Sequence, residues 1–265
     1  QPLDVVYEQI VSDLQRAANL LPPNQSNPAL PTKWAAQAML GKVYMSAQQE
    51  SGYRNFKLAK EAFESIIGSG QFSLVPNYAT LFDPNTQNST ESIMEWQFGN
   101  NWPDNNQLQW QAGSRAIAAL GGEYAYFGGY DFILPTKYCY SDKSNGGIWE
   151  VGDMRKNESI RYDFTYQGQN PRLPNPSGGD ELDPHIKKYE DIRTQGVQSF
   201  WNSGKNKHFL RYADILLSYA EVLNELGQTS QAESYVNEVH VHLEDFFRRV
   251  WLGVDFRRKT FVYKY

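Results

Sequence analysis

Leu40-Gly41-Lys42-Val43-Tyr44, followed by Ala59 and then Phe63, is the stretch whose reading decides the fold. A glycine set among large apolar residues, with an alanine and a phenylalanine four places apart further on, describes two antiparallel helices that touch where their side chains are smallest. The large residues three or four places away fill the space beside the crossing. The same design recurs near the other end, where Tyr219-Ala220-Glu221-Val222-Leu223 is followed by Ala232 and Val236.

This is the Leu-Gly-x-x-Tyr and Ala-x-x-x-Phe spacing of a tetratricopeptide unit. The expected fold is therefore mainly α, with tetratricopeptide-like helical repeats and a long irregular, loop-rich insertion between them. Val6, Ile10, Leu14, Ala17 and Leu21 recur at helical steps and predict a helix over 3–21, ended by Pro22-Pro23. A second helix is expected over 32–48 with Thr32 as N-cap, and its partner over 55–67, stopped by Gly68-Ser69-Gly70. The turn between them, around Glu50 to Arg54, is long. A short helix is expected at Asn77 to Phe82, and the alternation of Ser92 to Phe98 predicts a short strand. The second hairpin is expected over 208–226, closed by Gly227, and 230–241. Trp34, Tyr44 and Trp96 are assigned to the core, and Arg211 and Asp214 to ion pairs that orient the chain. The tail from Leu243 to Tyr265 has no clean pattern.

Bulk properties narrow the function. The 265 residues suffice for a sizeable core. Aromatic residues make up 14%, with seven Trp and 17 Tyr, while the mean hydropathy of −0.62 leaves a strongly polar surface. A formal charge of −5 provides no basic footprint, so nucleic acid is not an expected partner. The single cysteine, Cys139, excludes an intrachain disulfide and any zinc site built on several thiolates. His185, His208, His240 and His242 are scattered, and an i, i+2 pair on a helix does not share a face. No metal or cofactor is expected. No apolar run reaches bilayer-spanning length, and Gln1-Pro2-Leu3-Asp4 opens directly on a helix pattern. An upstream segment, including any export signal, is expected to lie outside this sequence.

Between the hairpins helical periodicity fades, and twelve aromatics lie from Trp96 to Trp149 among glycine pairs that mark turns. The expected organisation is a helical scaffold over 1–98, an aromatic ligand-binding insertion over 99–205, and a C-terminal hairpin and tail over 206–265 packing on the scaffold. Saccharides require a flat aromatic face against the C–H side of the ring and amides for its hydroxyls. Asn100, Asn101 and Trp102 supply both within one short run, and Trp110, Tyr124, Tyr126 and Tyr130 complete the candidate binding set. Trp149 and Trp201 are secondary candidates. Catalysis would need paired carboxylates or an activated nucleophile. Glu123, Asp131, Glu150 and Asp153 are the available acids, but their setting in polar loops reads as solvated, and no enzyme is expected.

The run from His208 to Glu225, with Arg211-Tyr212-Ala213-Asp214 and Tyr219-Ala220-Glu221, resembles the C-terminal signature of the SusD/RagB family. Tyr7-Glu8-Gln9-Ile10, Lys33-Trp34-Ala35-Ala36 and the stretch from Ala59 to Leu74 are similar to that family's helical core, so the resemblance covers roughly 3–98 and 183–240. Three features depart from it: His240-Val241-His242 stands where the family has an Arg-x-Arg pair, the family's Glu-Arg-rich closing segment is only faintly echoed by Arg248-Arg249 and Asp255-Phe256-Arg257, and the family's lipobox cysteine and the residues after it do not precede the first helix. The resemblance implies an α-α superhelix, oligosaccharide capture at the outer-membrane surface, a lipid anchor upstream as the means of membrane association, and a SusC-like TonB-dependent transporter as partner. It implies no catalysis. A peptide-binding tetratricopeptide adaptor using Lys33 and Lys42, or uptake of peptides or glycopeptides within the family, are the alternative readings.

Overall fold

A computed structural model describes residues 1–118, 128–161, 184–197 and 201–243. Among them the helices are α1 (Leu3–Leu20), α2 (Lys33–Ser46), α3 (Phe56–Ile67), α4 (Leu108–Ala112), α5 (Arg115–Ala118), α6 (Lys137–Tyr140), α7 (Met154–Ser159), α8 (Tyr212–Glu225) and α9 (Thr229–Leu243). The strands are β1 (Ser92–Trp96), β2 (Ile160–Arg161), β3 (His185–Ile186) and β4 (Lys207–Arg211), with β1 beside β4 and β2 beside β3. The chain divides into two compact units. The first takes 1–76, 88–96 and the chain from His208; the second takes 77–87 and 97–207.

The long helices, all in the first unit, follow from the crossings. A Cβ placed on Gly41 would lie 2.5 Å from the Phe63 ring, so only glycine lets α2 approach α3 this closely. Ala59 and Phe63 are fully buried there with Leu40 and Tyr44. Asn55 caps α3 by accepting from the backbone N–H groups of Lys57 and Leu58, both at 3.1 Å. Ala220 of α8 and Ala232 of α9 are likewise fully buried, and Tyr219 meets Tyr235 edge to face at 4.9 Å. Gly227, at φ +77°, closes α8 in the left-handed conformation that favours glycine. The mainly α, tetratricopeptide-like architecture is thus carried by α1–α3 and α8–α9. Arg211 and Asp214 do pair, with Glu91 and with Lys42 respectively, the latter at 2.8 Å.

Three local expectations are corrected. Residues 208–211 are strand rather than helix: the segment pairs with β1, and α8 begins only at Tyr212, after Arg211 at φ −127° and ψ 144°. Trp96 is not core. Strand alternation turns Ile93 and Glu95 inward, at 6% and 3% exposure, and leaves Trp96 at 45% exposure, stacked on Phe209 at 5.5 Å. Glu95 tolerates that interior position because the Asn88 backbone N–H and the Ser92 hydroxyl donate to it and His208 lies 3.2 Å away. Thr32 occupies the N-cap position of α2, but its hydroxyl makes no capping hydrogen bond. Trp34 and Tyr44 are buried as expected.

Candidate functional site

The second unit contains short helices of four to six residues, α4 to α7, joined by turns. Its chemistry of interest begins where 128–133 lies along 110–115. A Cβ on Gly129 would fall 2.4 Å from the Trp110 carbonyl oxygen, and one on Gly113 would fall 2.3 Å from that of Gly128. Glycine at both positions permits a backbone-to-backbone approach sealed by hydrogen bonds: Tyr130 N–H to Trp110 C=O at 2.8 Å, Asp131 N–H to Gly113 C=O at 3.0 Å and Phe132 N–H to Gln111 C=O at 2.9 Å.

Asp131 then turns the chain. At φ +59° it adopts a conformation that side-chain-bearing residues seldom take. Its carboxylate Oδ1 accepts from the Arg115 N–H at 3.0 Å and lies 2.9 Å from His185 Nε2. The residues on either side, Tyr130 and Phe132, are presented outward at 44% and 62% exposure. Their rings gather round half-buried Trp110: Tyr130 at 4.7 Å and 44°, Phe132 at 5.4 Å and 82°. The Arg115 guanidinium sits 4.8 Å over the Tyr130 ring, a cation–π contact that fixes its plane. The product is a three-ring ledge, half-buried at Trp110 and exposed at Tyr130 and Phe132, flanked by Ile133 and Leu134 at 37% and 42% exposure.

Beneath the ledge lies a buried polar lattice. Gln109 of α4 donates from Nε2 to the Thr194 hydroxyl at 2.9 Å and accepts from the Asp191 N–H. Burial alone would push the Asp191 carboxyl up, but hydrogen bonds from Arg193 and from the Ser203 hydroxyl outweigh it and hold the group below the usual carboxylate range. Lys205 donates from Nζ to the carbonyls of Lys188 and Glu190, at 2.7 and 2.8 Å. Burial lowers its pKa to about 8. This lattice ties the helix that carries Trp110 to 191–205.

Of the candidate residues, Trp110 and Tyr130 come together on the ledge. Asn100, Asn101 and Trp102 stand on a separate exposed loop, closed by Gly99 N–H to Asp104 C=O at 2.8 Å, with a cis bond between Trp102 and Pro103. Trp102 is 75% exposed, and among the described residues its ring meets no other ring. Asn100 packs on the backbone of Gly204, where a Cβ would come within 2.2 Å of its amide oxygen. Tyr124 and Tyr126 lie outside the described residues. Phe132 and Arg115 belong to the ledge and were not among the candidates; the alternation Tyr130-Asp131-Phe132 beside two glycines is the signal that could have found them. Trp149 is committed elsewhere, donating from Nε1 to the Cys139 carbonyl at 2.6 Å.

Of the four acids, Glu123 lies outside the described residues, and the other three each have a basic partner. Asp131 faces His185, Glu150 pairs with Lys143, and Asp153 caps α7 and holds Arg155. No group of three or more histidine, cysteine or acidic residues placed to hold a metal occurs among the described residues. What the ledge can do is stack: it offers apolar ring surface beside a guanidinium and backbone polar groups.

Comparison with known proteins assigns the chain to a family. The SusD family matches residues 76–241, more than half of the chain. SusD-like protein P2 of Formosa agariphila is 29% identical over 250 residues, covering 90% of this chain and 46% of that protein. The chain spans about half the length of the curated relatives it matches. Surface glycan-binding protein A from Bacteroides thetaiotaomicron superposes with a TM-score of 0.74 at 21% identity, covering 96% of this chain and 56% of the other. The same protein in complex with laminarihexaose gives 0.68 at 20% identity, covering 89% and 53%. At these identities the structural likeness establishes the fold. The chain belongs to the SusD family.

Proposed function

We propose that this member of the SusD family is the recognition part of a cell-surface glycan-binding protein, which captures oligosaccharides and passes them uncleaved to a TonB-dependent transporter in the outer membrane. The observation that carries the reading is the ledge of Trp110, Tyr130 and Phe132, held in place by paired glycines and an Asp131 turn. Exposed rings in fixed planes match the C–H face of a pyranose. The exposed loop of Asn100, Asn101 and Trp102 supplies amides and a further ring, as an additional contact on a longer chain. The laminarihexaose complex of a structural neighbour supports saccharide as the cargo class. Membrane association and the transporter contact are proposed for the whole protein, in keeping with the family.

A tetratricopeptide adaptor for peptides would need open cations on α2. Lys42 is held by Asp214 at 2.8 Å, and Lys33 lies 4.4 Å over the Trp34 ring, which gives that reading less support. Native electrophoresis in gels containing neutral polysaccharides tests the proposal. Retarded migration in at least one polysaccharide is expected. Unretarded migration in all of them, together with salt-sensitive binding of a peptide, would overturn it.

A further inference from the structure

The second unit also contains an open cleft of about 530 Å³ that shares no residue with the ledge. That size falls within the roughly 300–1,000 Å³ of small-molecule sites. Its apolar lining comprises Phe82, Pro84 and Ile192, the last 50% exposed. Its polar wall includes Arg161, Lys187 and Glu190. The pairing of β2 with β3, Ile160 opposite Ile186 and Arg161 opposite His185, brings Arg161 beside 187–190. There its Nε and Nη2 grip the two carboxylate oxygens of Glu190. Glu190 precedes Asp191, which is fully buried in the lattice described above. This wall is therefore preorganised.

Its hydrogen-bonding capacity is only partly used. Each Glu190 oxygen takes one guanidinium proton and has a second lone pair, on a side chain that is 13% exposed. Lys187 Nζ donates to the Asn157 carbonyl at 2.9 Å and to Glu158 at 3.2 Å, leaving one of its three protons. At the rim, exposed Asn85 donates from Nδ2 to Asp83 at 2.9 Å, and its second amide proton and carbonyl oxygen remain. Charge restricts what can enter. Asp83, Glu158 and Glu190 face Arg161 and Lys187, and both bases are already held by acids. Among the lining residues an anion would find no cation without an acid partner; Lys188, 5.1 Å over the Phe82 ring, is not one of them. An uncharged polyol would find donors and acceptors together with apolar lining in one cleft, the combination that a sugar ring requires.

We infer that this cleft is a second saccharide-binding site, which takes an uncharged sugar segment in contact with Phe82 and Ile192 and with Glu190, Lys187 and Asn85. It is independent of the ledge. The test is saturation-transfer NMR and calorimetry on the whole chain with laminarihexaose, cellohexaose, maltohexaose, mannohexaose and xylohexaose. The variants are Trp110→Ala alone, and Trp110→Ala combined with Asn85→Ala and Ile192→Asp, both exposed positions whose change leaves the core intact. Trp110→Ala is expected to retain weak binding of at least one hexasaccharide, unchanged by added salt. The cleft substitutions are expected to lower that binding by at least about fivefold, the loss of one contact or more.

Loss of all binding in Trp110→Ala, when the unaltered protein binds, overturns the cleft and leaves the ledge standing. Residual binding that the cleft substitutions do not weaken, or that falls steeply with salt, also overturns the cleft. Equal affinity of Trp110→Ala and the unaltered protein overturns the ledge instead. An unaltered protein that binds none of the five overturns both.

Discussion

A methyl group at position 41 would lie 2.5 Å from the Phe63 ring, well inside van der Waals contact, and a buried ring at a helix crossing has nowhere to go. Gly41→Ala is therefore expected to lower stability by about 1–3 kcal/mol in denaturant titrations, and Gly41→Val by more. A second residue-scale consequence concerns Lys205. The folded chain holds its proton less tightly than the unfolded chain, with a pKa of about 8 against the ordinary 10.5. The penalty is present in full below about pH 8 and fades as pH rises toward 10.5. Unfolding measured for the unaltered protein and Lys205→Met across that window should show the difference moving in favour of the unaltered protein; a flat difference would contradict the assignment. Gly41 was legible because its motif encodes a local crossing. Lys205 was not, because its burial depends on carbonyls 15 and 17 residues away.

At the scale of elements, the join between β1, β4 and α8 turns on Glu91, which is 1% exposed. It accepts from Arg211 and from the Val75 N–H, and its own carbonyl receives the Tyr212 N–H at 2.8 Å. Removing the cation strands a buried carboxylate, so Arg211→Ala should cost about 3 kcal/mol of unfolding free energy. Sequence periodicity extended the helix through 208–211 because Leu210 fits a helical stripe. The ladder with β1, a contact more than a hundred residues away in the chain, overrides it. For the same reason Trp96 read as core: alternation identified the strand, but which face turned inward was decided by the partners of Glu95. The ledge is an element-scale device too. Gly129→Val would push 128–133 off the Trp110 carbonyl. Saccharide retention should fall by roughly tenfold or more, while the helical circular dichroism from α1–α3 and α8–α9 stays in place.

Across the whole molecule, two different kinds of stability are joined in one chain. The first unit has long helices whose small-residue crossings are written in the sequence, and these were read correctly. The second has short helices fastened by glycines, turns and a buried polar lattice, and sequence alone revealed its aromatic richness without its geometry. Trp110 and Tyr130 are 20 positions apart and meet because Gly113 and Gly129 vanish between them. No spacing rule contains that information. Recognition by ring faces and uncharged hydrogen bonds should change little between low and high salt, unlike capture by exposed cations.

The most direct measurement is the dissociation constant of the neutral oligosaccharide that the protein retains best, taken by calorimetry for the unaltered chain and for Trp110→Ala with Tyr130→Ala, with thermal unfolding recorded beside it. The expected result is binding weakened by roughly tenfold or more, a loss of at least about 1.4 kcal/mol, in a chain that still unfolds cooperatively above the assay temperature. An unchanged dissociation constant with both rings removed would contradict the account.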